Sequence, residues 1–194
     1  RAWLEESLHF LESCHDLAAV EELEQELDGQ LNPRQGERRR RRQEGHPRPL
    51  ELRSPRGLRL MVGRNHRQND WISLRQARRG DLWFHAQECP GSHVVLKASE
   101  AAADAADLAA AADLAAHFSR ARGNRRVPVL MVPTDSLQRI PGEPAGTVRH
   151  GAAELLWGEP QRVLPLLAGL GSEDRKSTRL NSSHANISYA VFCL

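Results

Sequence analysis

Cysteine is scarce in this chain: Cys14, Cys89 and Cys193 are odd in number and far apart, with no CxxC pair. That spacing argues against a disulfide framework and against a zinc ribbon, and it fits a reducing compartment. Long apolar runs are missing too. No stretch approaches the roughly 20 residues needed to span a bilayer, and no basic-then-apolar leader opens the sequence. These absences predict a soluble, cytoplasmic protein with no membrane partner. No G-x-S-x-G elbow, Walker loop or G-x-G-x-x-G is present, so none of the recurrent nucleophile or nucleotide loops is available. Arg1 stands where a methionine would, and an amphipathic pattern is already running by Leu4. The sequence therefore reads as a piece of something longer.

Charge is plentiful but segregated. Residues 1–28 hold Arg1 against nine acids, a net −8, whereas residues 29–80 hold fifteen arginines against four acids, a net +11. The basic block is the electrostatic footprint of a nucleic-acid binder.

Periodicity divides the chain into four parts. In residues 1–31, Leu4, Leu8, Leu11, Leu17, Val20, Leu23 and Leu27 recur at three- and four-residue steps with acids between them. One amphipathic helix or a close pair is predicted, stopped by Asp28-Gly29 and Asn32-Pro33 and in need of a partner helix. Residues 32–49 contain five consecutive arginines and almost nothing apolar, which predicts a basic linker. Residues 50–158 change to a period of two, with a hairpin turning at Ser54-Pro55-Arg56-Gly57. A short helix capped by Asn69 or Asp70 should follow, then strands on either side of Cys89-Pro90-Gly91-Ser92. A long alanine-rich helix capped by Ser99 comes next, and then further strands. The fold class is α+β: a small mixed or antiparallel sheet with one long alanine-rich helix packed on it, preceded by a coiled-coil helix. Residues 159–194 read as a tail, disordered or foreign to the native chain, with an abrupt change of composition near Ser172.

The densest chemistry lies in "DLWFHAQECPGSHVVL". His85, Cys89 and His93 are four apart, a spacing that would stack zinc ligands on a helix, but Pro90-Gly91 breaks that helix and no fourth ligand is signalled. Cys89 or Ser92 with His85 or His93 and Asp81 supplies the residue types of a nucleophilic site, without a loop to organise them. A small hydrolase or metal enzyme built on His85, Cys89 and His93 is thus the alternative to a binding surface. The binding reading rests on "GRNHRQND", whose Arg64, Asn65, His66, Arg67, Gln68, Asn69 and Asp70 offer forked and amide groups suited to phosphates and base edges. Trp83, Phe84, His85 and His93 add planar groups able to stack on unpaired bases. Turn, cap and core roles are the competing explanation for Asn65, Asn69, Asp70 and the tryptophans.

"GRNHRQNDWISLRQARRGDLWFHAQECPGSHVVLKA", followed by the alanine-rich helix and "LQRIPGEPAGTVRH", resembles the NFACT-R domain. This is the C-terminal RNA-binding domain of the NFACT family, whose bacterial members are the RqcH ribosome-quality-control factors, also labelled fibronectin-binding protein A-like. The acidic helix ending "VEELEQEL" resembles the end of that family's coiled-coil hairpin. The resemblance implies a non-catalytic RNA-binding module without cofactor or metal. Its partners would be tRNA and large ribosomal subunit RNA, with ribosomal proteins reached through the coiled-coil arm. It would serve a factor that rescues stalled large subunits by promoting C-terminal alanine tailing. The RNA-facing residues would be Arg64, Asn65, Arg67, Asn69, Asp70, His85, Ser92 and His93. The family's lysine-rich loop before Gly146 reads here Gln138-Arg139-Ile140-Pro141-Gly142-Glu143, which lowers the basic charge at that point. A matrix-binding adhesin, implied only by the family's other label, is a third reading.

Overall fold

In the computed structural model, residues 2–12, 14, 17–31 and 46–168 are described. The linker's arginine run and the tail beyond residue 168 lie outside the described residues. The chain divides into two units, residues 1–163 and 164–194, and of the second only a short helix, α5 (Leu164–Ala168), is described.

The N-terminal arm is a close pair of helices, α1 (Ala2–Glu12) and α2 (Leu17–Leu31). The period-two region forms a six-stranded sheet in the order β1-β2-β4-β3-β5-β8, every neighbouring pair antiparallel. Its strands are β1 (Leu50–Arg53), β2 (Arg59–Val62), β3 (Leu82–Ala86), β4 (Val94–Leu96), β5 (Val127–Pro133) and β8 (Glu154–Gly158). A separate ribbon pairs β6 (Gln138–Arg139) with β7 (Val148–Arg149). The first turn forms as expected: the Gly57 amide donates to the Ser54 carbonyl at 2.9 Å, and Gly57 takes a positive φ of 89°.

Strand alternation sorts the side chains onto two faces. On one face Met61, Val95, Trp83 and Val132 lie in cross-strand register over four strands. They join Ile72 and Leu137 in a buried cluster against which Trp71, Leu74 and Val148 pack. The other face takes α4 (Ala105–His117), where Ala110, Ala111, Ala112, Ala115 and Ala116 are buried with Leu114. Small residues let this helix come close to the sheet. At Gly158 a Cβ would stand 2.3 Å from the Ala112 carbonyl oxygen.

Two helix starts differ from the sequence expectation. The short helix α3 (His66–Trp71) begins earlier than the expected Asn69 or Asp70 cap, with Asn65 as its cap accepting from the Gln68 amide at 2.7 Å, and runs on as a π-helical turn over Ile72–Gln76. Asn69 and Asp70 are therefore interior to the helix. The alanine-rich helix begins at Ala105 rather than after Ser99, because Asp104 and Asp107 form a reciprocal capping box. Ser99 is tied elsewhere, its amide donating to Asp81 at 3.0 Å. Residues 160–163, read as the beginning of the tail, form a 3-10 turn on α4, with the Glu159 amide donating to Asp113 at 2.6 Å and Arg162 pairing with Asp113.

Candidate nucleic-acid interface

Two close backbone approaches meet at the end of β2, where Gly63 leads into α3 and the turn before β4 returns beside it. The Gly63 amide donates to the His93 carbonyl at 3.0 Å, while the His93 amide donates to the Asn69 carboxamide oxygen at 3.0 Å. Asn69 Nδ2 reaches the Gly91 carbonyl at 3.5 Å. Glycine is required at 63, since a Cβ would sit 2.2 Å from Asn69 Oδ1. The Pro-Gly-Ser-His turn is held from its other side by the end of α4, with the Ser92 amide donating to Phe118 and the Arg120 amide to Pro90. Gly146 (φ 84°) crosses over the start of α3, where a Cβ would lie 3.1 Å from the His66 carbonyl oxygen.

These bonds sort the residues expected to face RNA. Asn65, Asn69, Ser92 and His93 are brought together, but all four are buried. Their polar groups hold the two loops: Asn65 caps α3, Asn69 ties it to the Pro-Gly turn, and the His93 ring meets Ser73 Oγ at 2.8 Å. Arg67 is exposed and Arg64 and Asp70 are half-buried on the outer side of the same segment, with Asp70 paired to Arg139 of the β6–β7 ribbon. His85 stands apart on β3, half-buried, stacked on Trp83 at 5.6 Å and edge-on to His93 at 5.3 Å. Burial lowers the pKa of His85 to about 4 and that of His93 well below the ordinary imidazole value. Both rings are neutral at physiological pH, so they offer planar surface rather than cationic charge.

Two further residues of "GRNHRQND", outside the set expected to face RNA, complete the site. Gln68 is fully buried; its side-chain oxygen accepts from the Arg64 amide at 2.9 Å and its Nε2 donates to Glu22 of α2 at 2.6 Å. His66 is the anchor for α1: it stacks on Trp3, meets Phe10 edge-on and lies 3.3 Å from Glu6. A helix register beginning at His66 is the signal that finds them, because it separates inward 66, 68 and 69 from outward 64 and 67. A cavity of about 210 Å³ opens where the arm meets this segment, lined by Glu22, Gln25, His46, Arg48, Asn65 and Arg67.

Cys89 Sγ donates to its neighbour's carbonyl, Pro90 O, at 3.4 Å. Among the described residues no group of three or more His, Cys, Asp or Glu side chains is arranged to hold a metal ion. None of the described helices is long and apolar enough to cross a membrane.

The fold is that of an α+β module built on an antiparallel sheet, and residues 50–151 match the family model of the NFACT protein RNA binding domain. The chain belongs to the NFACT family. Among its relatives is the Rqc2 homolog RqcH of Bacillus subtilis (strain 168), 32% identical over 143 residues, which cover 73% of this chain and 25% of that protein. The Rqc2 homolog RqcH of Streptococcus suis (strain 05ZYH33) is 35% identical over 143 residues, covering 72% of this chain and 25% of that protein. A solved structure, the C-terminal part of the fibronectin/fibrinogen-binding protein from Streptococcus suis, superposes with a TM-score of 0.70 at 32% identity, covering 82% of this chain and 63% of that one. The chain thus spans about a quarter of the length of these curated relatives.

Proposed function

We propose that this chain is the RNA-binding portion of a cytoplasmic ribosome-quality-control factor, contacting tRNA and large-subunit RNA on obstructed ribosomes and supporting C-terminal alanine tailing of the stalled chain. The observation that carries this reading is the NFACT RNA-binding domain match over residues 50–151, together with the +11 charge of residues 29–80. The module itself binds and positions; chemistry belongs to the assembly it joins. The proposed organisation is a coiled-coil arm over residues 1–31, which is also the route to ribosomal proteins, a basic linker over 32–49, the RNA-binding domain over 50–158 with residues 159–163 packed on its long helix, and a tail after them.

Within the domain, Arg64 and Arg67 are the proposed phosphate contacts, with Asp70 and His85 at the flanks. Asn65, Asn69, Ser92 and His93 act on RNA by fixing the shape of the edge that presents those groups. Filter binding of the full chain to tRNA and to purified large ribosomal subunits tests this. Arg64→Ala with Arg67→Ala should weaken both by roughly tenfold, and the logarithm of affinity should fall with that of salt by about 0.7 per single-stranded phosphate neutralised. Unchanged binding by the double variant would remove these arginines from the interface.

A further inference from the structure

We propose that the open end of the sheet, where β3, β5 and β8 present His85, Leu130, Leu155, Pro128 and Trp157 on one face, is a stacking platform for an unpaired RNA segment, with the Arg120–Arg126 turn as its phosphate contact. The proposal rests on the RNA-binding reading above and adds a second surface to it. The cross-strand register puts His85, Leu130 and Leu155 in one row and Pro128 and Trp157 in the next. By strand alternation both rows share the face of Trp83 and Val132. Nearer the sheet centre that face is covered by the cluster of Ile72, Leu137 and their neighbours. At β8 it is open: Leu155 is 50% and Trp157 52% exposed. The opposite face of the same strand is where α4 packs, with Gly158 against Ala112.

The chemistry of this face favours a nucleic acid over a protein. The Arg126 guanidinium lies 5.4 Å from the Trp157 ring centroid, a planar cation on a planar ring, and Glu159 pairs with it at 3.8 Å. The loop leading into β5 reads Arg120, Arg122, Arg125 and Arg126 with no acid among residues 119–127. All four arginines are exposed. Aromatic surface beside a row of arginines is what tracks a single strand, each base finding a π-face and each phosphate a cation. The neutral ring of His85 extends the row without adding charge. The exposed apolar residues of α1 make the contrast: Leu4, Leu8 and Leu11 are aliphatic and are interspersed with Glu5, Glu6 and Glu12, which repel phosphate.

Fluorescence anisotropy of the full chain with a labelled 12-nucleotide oligouridine, and ultraviolet crosslinking with mapping of the attached peptide, test the platform. Trp157→Ala should weaken oligouridine binding by about fivefold or more, the effect of one lost base stack, and Trp157→Phe should restore most of it. Crosslinks should fall on the segments 127–131 and 154–158. Because Trp157 is half-exposed, circular dichroism should be unchanged in both variants. If Trp157→Ala binds normally and crosslinks fall only near Arg64 and Arg67, the platform is wrong while the RNA-binding reading stands. If Trp157→Ala leaves oligouridine affinity intact but loses large subunits, the face takes a protein and the proposal is overturned. If the unaltered chain binds neither oligouridine, tRNA nor large subunits, both readings fall.

Discussion

His66 shows how one residue couples the arm to the domain and to pH. It is 2% exposed, stacked between α1 and the start of α3, and burial lowers its pKa to about 4. Its unfolded value is near 6.5, so between about pH 6.5 and 4 the unfolded chain binds more protons and stability falls as pH falls. For this residue alone the loss is on the order of 3 kcal/mol when complete. His85 and His93 act in the same sense. Asp81 acts in the same direction over a lower pH range. Burial pushes its carboxyl up, but hydrogen bonds from Lys97, Ser99 and Arg78 outweigh this and hold it below the ordinary value. Its contribution is present above the usual carboxylate range and disappears only at lower pH. Thermal melts should therefore decline from pH 7 to about 4.5, and His66→Gln should flatten that decline; an unchanged pH profile in the variant would place the acid sensitivity elsewhere. Lys97→Met should cost about 3–5 kcal/mol at pH 7, since it leaves the buried Asp81 carboxylate without its cation. Denaturant titration measures that. At this scale the residue types of the candidate interface were legible in "GRNHRQND" and their directions were not. Arg67 and Asn69 are two positions apart, and only the onset of the helix at His66 decides that one faces solvent and the other the Gly91 carbonyl.

Elements were more legible than residues, because periodicity averages over many side chains. The change from a three- and four-residue step to a two-residue step near Leu50 marks the true beginning of the sheet, and the hairpin at Ser54–Gly57 follows from turn chemistry alone. Helix starts were not legible where two caps compete. Ser99 stands before the alanine-rich segment and Asp104 within it, and the choice goes with Asp81, distant in sequence, engaging the Ser99 amide while Asp104 and Asp107 form the capping box. Nor could the pattern say which face of β8 is covered. Leu155 and Leu156 are equivalent in sequence, and the difference comes from α4 approaching Gly158. That approach is itself a prediction. Gly158→Ala puts a methyl 2.3 Å from the Ala112 carbonyl oxygen and 2.8 Å from the Ala116 Cβ. The helix must lift from the sheet, at a cost of about 1–3 kcal/mol in chemical denaturation. Gly123→Ala, where nothing lies within 4 Å, should change stability little.

At the scale of the whole chain, the segregated charges visible in the sequence become contacts between arm and domain. The acidic arm touches the basic domain at Glu22 with Gln68, Glu6 with His66 and Glu5 with Arg120. The arm meets the domain through these groups and through Trp3 and Phe10 against His66, with Leu23 buried and the leucines Leu4, Leu8, Leu11 and Leu17 outward. The apolar stripe that signalled a helix is thus split, with Leu23 buried and Leu4, Leu8, Leu11 and Leu17 off the face that docks. The arm's negative charge lies within a Debye length, about 10 Å at 0.1 M salt, of arginines that would meet phosphate. Glu5 pairs with Arg120 at 3.5 Å with both side chains more than half exposed, so the pair adds at most about 1 kcal/mol to stability. Glu5→Gln should leave the melting temperature nearly unchanged. It should raise affinity for oligouridine about two- to threefold at low salt, because one repelling charge beside the Arg120–Arg126 turn is removed. Near 1 M salt, where the screening length falls to about 3 Å, the gain should vanish. A gain that persists at high salt would mean the substitution moves the arm rather than the field, and no gain at either salt would place the RNA beyond the reach of Arg120.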